Sequence, residues 1–192
     1  MTEPAPASRN WLGRNSPSPW TRGERFKRAL WLLVETLLFR PTPRTCHRWR
    51  VWLLSVFGAK IDEPSTVRVF PNARIHFPWK LELRRNCMVG PGVLIYNLDR
   101  VTIGAGANLS RNIHVCAGSH DFNRWSMPLV TAPIAIGDNV WIATDCFIGP
   151  GVTIGELCVV GARSVVVDDL PARKICVGHP CRPVKDRVEP AG

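Results

Sequence analysis

The sequence is short of the features that would give it an easy reading. It holds no C-x-x-C pair, although seven cysteines are scattered along it: Cys46, Cys87, Cys116, Cys146, Cys158, Cys176 and Cys181. Zinc-ribbon and thioredoxin-like chemistry are therefore set aside, and the odd count argues against a disulfide framework. The cysteines read as small hydrophobes in a reducing compartment. No apolar run approaches the ~20 residues that span a bilayer, and Glu35 interrupts the best of them. The first twenty residues are rich in Pro, Ser and Arg and lack the apolar core of a secretory signal, so the expected location is cytoplasmic. Acidic residues are scarce, 15 Asp and Glu against 25 Lys and Arg, for a formal net charge of +10. None of the standard nucleic-acid-binding motifs accompanies that charge, which argues against nucleic acid as partner.

What is present is a chain of 192 residues, 45% hydrophobic, large enough to bury its own core, with 15 Gly and 17 Pro to supply turns. Charge is unevenly placed. Residues 1–60 carry 11 basic and 3 acidic residues, whereas residues 61–192 carry 14 and 12. Five of the eight Trp also fall early, at Trp11, Trp20, Trp31, Trp49 and Trp52. Residues 1–23 form a polar, Pro-rich flexible lead-in. Residues 24–60 then read as two helices: Phe26, Leu30, Leu33, Leu37 and Leu38 follow helical spacing, Pro41 and Pro43 stop the first helix, and Gly58 ends the second. Such a pair either packs on the body of the protein or a neighbouring subunit, or lies peripherally on an anionic membrane.

Beyond about residue 67 the period changes to six. Ile136, Ile142, Ile148, Ile154, Val160 and Val166 are all aliphatic, and Gly137, Ala143, Gly149, Gly155 and Gly161 follow the first five. Ile103, Leu109 and Val115 repeat the step, and Val89, Ile95 and Val101 do so in a shifted register. Neither a helix nor an open sheet has this period; a solenoid of short parallel strands does. One aliphatic per hexad points inward, the small residue after it lets the chain turn a corner, and three hexads close one triangular coil. The predicted fold is mainly β: a parallel β-helix over residues 61–174 behind the N-terminal helical segment, with residues 175–192 as a C-terminal extension.

The repeat breaks sharply between Val115 and Ile136, an interval of 21 residues that is not a multiple of six. Such a segment cannot stack in a coil and must project, here as a loop over residues 120–133, and interruptions of a rigid scaffold are where functional residues gather. His120 stands at its base, with Asp121 beside it. Imidazole, with an ordinary pKa of about 6.5, suits a general base that takes the proton of an attacking hydroxyl. The other histidines do not reproduce the spacing of a three-His zinc site, and no metal is expected. Asn97 and Asp99 lie in the preceding coil and suit either hydrogen bonding to a substrate or the capping of a coil corner.

The segments VTIGAGANLSRNIHVCAGSHDF and PIAIGDNVWIATDCFIGPGVTIGELCVVGARSVVVDDLPARKICVGHPCRPVKDR resemble the hexapeptide-repeat acyltransferases, in the branch of the maltose, galactoside and nodulation-factor O-acetyltransferases. The early RALW, LLFRPTP and FGAKI segments are similar to acetyltransferases of exopolysaccharide (colanic acid) biosynthesis. The resemblance implies a left-handed β-helix, a homotrimer, and acetyl transfer from acetyl-CoA to a saccharide or lipid-linked saccharide with His120 as general base. It places Trp141, Thr144, Ala162, Val167 and Asp168 along an acetyl-CoA groove, and Arg182 and Lys185 near the phosphates. Asn97, Asp99 and Asp121 are, by their position beside His120 and in the preceding coil, the candidate contacts to the acceptor. The family usually has Thr-Lys where this chain has Val167-Asp168. An acyltransferase acting on serine or on an amino sugar nucleotide, and a non-catalytic scaffold, are the alternatives.

Overall fold

The computed structural model describes residues 20–188. Most of the expected lead-in, Trp11 included, lies outside the described residues. Helix α1 (Arg22–Val34) starts at a capping box: Thr21 Oγ1 accepts from the Glu24 amide, and the Glu24 carboxylate accepts from the Thr21 amide. It runs into a single π-helical stretch, Glu35–Phe39, and helix α2 (His47–Val56) follows the Pro41/Pro43 turn.

Three parallel sheets form the solenoid. The first face holds Lys60–Ile61, Leu81–Leu83, Val101–Ile103, Ile134–Ile136 and Thr153–Ile154; the second runs from Arg68–Val69 up to Lys174–Gly178; the third runs from Arg74–Ile75 up to Val165–Val166. Together they make a β-solenoid of about six turns, as the hexads predict. The register is the one the period implies. Ile136 lies between Ile103 and Ile154, Ile142 between Leu109 and Val160, and Ile148 between Val115 and Val166, all inside the core. Cys87, Cys146 and Cys158 fill small inward positions two residues before these aliphatics, and burial pushes the Cys87 and Cys158 thiols up to about 12.

Two details differ from the expectation. The repeat is irregular below the projecting loop as well: the steps from Ile75 to Leu83 and from Ile95 to Ile103 are eight residues, and the Pro78–Lys80 turn and the corner at Asn97 absorb the excess. Val101 and Ile103 therefore both point inward, which explains the shifted register. The small residue after each aliphatic is not what turns the corner. That task falls two positions later, to Asn86, Gly106, Asn139 and Leu157 between the first and second faces, and to Gly92, Asn112, Asp145 and Arg163 between the second and third, all at positive φ. The small residue is needed because the next coil passes so close: a Cβ on Gly104 would meet the Gly137 carbonyl carbon and oxygen at 2.5 Å.

The helices present one side to the solenoid and the other to solvent. Trp31, Phe39, Val51, Leu53 and Leu54 are buried against the open end of the first coil, while Phe26, Leu30, Leu33, Leu37 and Leu38, the residues that define the helical spacing, are exposed. Hydrogen bonding sets this orientation. The first coil has no strand beneath it, so its backbone groups need other partners. Trp31 Nε1 donates to Ile75 O at 2.6 Å, the Ile75 amide donates to Glu35 Oε1 at 3.1 Å, and Arg50 Nε donates to Val69 O at 2.7 Å. The four remaining N–H groups of the fully buried Arg50 face Thr42 Oγ1, Pro43 O, Arg44 O and His47 Nδ1.

Gly104→Ala is expected to cost roughly 1–3 kcal/mol or more, as overpacking does, because the obstructing atoms are backbone. Gly23→Ala is the control: its Cβ would find only Thr21 Oγ1 at 4.0 Å, and the change should leave stability unchanged or raise it by up to about 1 kcal/mol. Urea midpoints of the two variants check the contrast.

Candidate active site

Between the third and first faces, where the chain leaves Cys116 and returns at Ile134, the projecting segment forms a two-stranded antiparallel hairpin. Gly118–His120 pairs with Leu129–Thr131, so the projection begins two residues earlier than the sequence indicates. Its base is held against the coil below in two ways. Gly118 sits so close to Leu98 that a Cβ would fall 2.5 Å from Leu98 Cδ1, and Thr131 Oγ1 donates to Asp99 Oδ2 at 3.2 Å.

His120 is exposed at the end of its strand. Its Nδ1 lies 2.7 Å from the carbonyl oxygen of Met127. A carbonyl only accepts, so in the neutral ring Nδ1 carries the hydrogen and Nε2 is left with its lone pair outward. Met127 adopts positive φ, which bends the loop back toward the imidazole. Asp121 braces the same loop: its carboxylate accepts from the Asn123 amide at 3.0 Å and pairs with Arg124 at 3.3 Å. The loop also exposes Phe122, Trp125 and Met127.

The remaining predicted residues fall into separate places. Asn97 is fully buried, with Oδ1 accepting from the Phe77 amide and Nδ2 donating to the Phe77 carbonyl. Of its two readings, corner capping is the one these bonds describe. Asp99 is tied to the Arg100 amide and to Thr131, and so positions the hairpin. Trp141 is exposed on the second face and donates to Ser110 Oγ at 3.0 Å. Thr144 and Ala162 stack at the corner between the second and third faces, where Thr144 Oγ1 donates to Arg111 O. Val167 and Asp168 leave the third face at the corner that carries the hairpin, two coils above it. Asp168 pairs with Arg182 at 2.7 Å, and the exposed Lys185 lies on the outermost strand of the second sheet. No sequence signal marks Met127 and Thr131, since one meets the site through its carbonyl and the other through an exposed hydroxyl.

Two other histidines point outward along the third face. His76 lies edge-on to Tyr96, and His114 edge-on to Phe147. Burial, with Arg28 and Arg74 nearby, lowers His76 to about 4. Among the described residues no group of three or more His, Cys, Asp or Glu converges as a metal site would.

The hexads, the parallel β-helix they build and the hairpin that projects from it place the chain in the hexapeptide-repeat class. Residues 133–168 match the bacterial transferase hexapeptide (six repeats) family. The chain is 41% identical over 177 residues to WcaF of Escherichia coli (strain K12), a protein provisionally named a colanic acid biosynthesis acetyltransferase; the match covers 92% of this chain and 96% of that one. It is 31% identical over 137 residues to the galactoside O-acetyltransferase of the same organism, covering 70% and 66%. Among solved structures, a galactoside acetyltransferase in complex with coenzyme A superposes with a TM-score of 0.80 at 27% identity, covering 88% of this chain and 84% of that one. A maltose O-acetyltransferase from Clostridium difficile 630 gives 0.74 at 25%, covering 94% and 96%. The chain belongs to the hexapeptide-repeat acetyltransferases.

His76 yields a pH prediction. A histidine held neutral in the fold and free to protonate when unfolded makes the unfolded state bind more protons as pH falls below about 6.5. Stability should therefore decline from about pH 6.5 toward pH 4, and His76→Phe should flatten that part of the profile. Urea midpoints measured across this range check it.

Proposed function

We propose that the chain is an acetyl-CoA-dependent O-acetyltransferase acting on a saccharide hydroxyl in exopolysaccharide biosynthesis, the acceptor being a saccharide or a lipid-linked saccharide at the cytoplasmic face of the membrane. The observation that carries this reading is the bond from His120 Nδ1 to Met127 O, which leaves Nε2 as the proton acceptor. In the proposed reaction Nε2 takes the proton of the acceptor hydroxyl while that oxygen attacks the thioester carbonyl. The tetrahedral intermediate then collapses, the C–S bond breaks, and the departing thiolate takes the proton from the imidazolium. No acyl-enzyme forms, so the kinetics are those of a ternary complex.

The reading extends to a homotrimer. His120, Val167, Asp168 and Arg182 gather around one edge of the prism, whereas Thr144 and Ala162 occupy another, across the third face, and Trp141 lies beyond them on the second. A neighbouring solenoid that sets its second edge against the first edge of this one would bring both sets to one groove, which suits the length of acetyl-CoA. Arg182 offers a guanidinium fork to phosphate there, with Asp168 holding it in place.

His120→Ala should lower kcat by about 10²–10⁴, the usual worth of a general base, with coenzyme A binding retained in titration calorimetry. Acetyl transfer at the wild-type rate would refute the assignment. Mixing His120→Ala with Ala162→Trp, each severely impaired alone, should restore part of the activity, because a mixed trimer contains grooves whose two edges, one from each variant, are both intact. A mixture as inactive as its components would place the whole site within one chain.

A further inference from the structure

The helices that seal the first coil bury one side and leave the other unpartnered. On α1 and the π-helical stretch after it, Phe26, Leu30, Leu33 and Leu37 follow one another along the outer side, and Leu38 stands at its margin, all exposed. The stripe continues onto α2. Trp49 Nε1 donates to Leu38 O at 2.8 Å, Trp49 stacks on Trp52 with ring centroids 5.0 Å apart, and Val56 lies one turn further. Trp49, Trp52 and Val56 are exposed too. The result is a continuous apolar band across two helices, larger than the scattered single side chains normal on a soluble surface.

Its charge is predominantly positive. Arg22, Arg25, Arg40 and Arg48 are exposed on the same two helices. The two carboxylates between residues 20 and 59 are both engaged: Glu24 closes the capping box at Thr21, and Glu35 is buried against the Ile75 amide. An apolar band with stacked indoles and exposed arginines, against the single partly exposed carboxylate of Glu24 at the start of α1, is the composition of a helix pair that lies in the plane of an anionic lipid surface. A second copy meeting the same band symmetrically would bring the two arginine rims together, which their like charge disfavours. No helix among the described residues is long and apolar enough to cross a membrane, so attachment at this face is peripheral.

We infer that the outer face of α1 and α2 docks on anionic phospholipid, with the leucines and tryptophans entering the headgroup boundary and the arginines pairing with lipid phosphates. This does not rest on the identity of the acetyl acceptor. The test is flotation of the full chain with vesicles of phosphatidylcholine alone and of phosphatidylcholine mixed with phosphatidylglycerol, at low and high salt. The wild type should float with the mixed vesicles at low salt, at least ten-fold less with phosphatidylcholine, and be largely released by high salt, where charges are screened. The double variant Leu33→Glu/Leu37→Glu changes two exposed positions, so its melting temperature should be unchanged while its flotation falls at least ten-fold. Absence of wild-type flotation, equal flotation on both lipids, or a double variant that floats like the wild type would overturn the inference. A double variant whose trimer dissociates in sedimentation equilibrium would overturn it as well, by showing that copies of this chain cover the band.

Discussion

Everything in this molecule is arranged around the backbone ladder that binds each coil to the next. A coil supplies the hydrogen-bonding edge on which the following coil is laid, and the spacing is fixed by the bonds themselves. Along the edges of the prism that spacing leaves no room for a Cβ at Gly90 or Gly104, whose nearest neighbours are backbone atoms of the coil above. It also demands a left-handed residue at two of the three corners in nearly every coil. Any segment that cannot meet these conditions has one place to go, outward from a corner, and the His120 hairpin does so.

The ladder must begin somewhere, and its first edge is the costliest surface in the fold. A row of amides and carbonyls with no strand below would be poorly satisfied if simply covered with leucine. The helices answer with polar atoms embedded in an apolar cap: the Trp31 indole, the Glu35 carboxylate and the Arg50 guanidinium each meet one backbone group of the first coil. Burial raises the Glu35 pKa, with the Ile75 amide and nearby arginines opposing the shift, so its position carries an electrostatic cost. That requirement decides which side of α1 turns inward.

This is also where the sequence was a poor guide. Hexads are legible because each inward aliphatic repeats a single environment, and the projecting loop is legible as their interruption. Hydrophobic spacing along α1 marks Phe26, Leu30 and Leu33 without saying which side meets the solenoid, and the side that does holds Trp31 and Glu35, whose polar atoms pair with the backbone of the first coil. At the candidate site His120 stood out as a residue type suited to proton transfer. Its orientation depends on the Met127 carbonyl, and carbonyls leave no trace in a sequence. Asn97 and Asp99 were ambiguous for a related reason: side chains that cap backbone and side chains that bind sugars are drawn from the same polar residues.

The order of the cap and the first coil along the chain has a consequence for how the protein is made. Each coil of a solenoid is stable only through its neighbours, and the first coil has none below it. Here the helices come before that coil in the chain, and they carry the indole, carboxylate and guanidinium that its edge requires. During synthesis these groups leave the ribosome before the strands they serve. The nascent chain thus presents the partners of its first coil before that coil has been made.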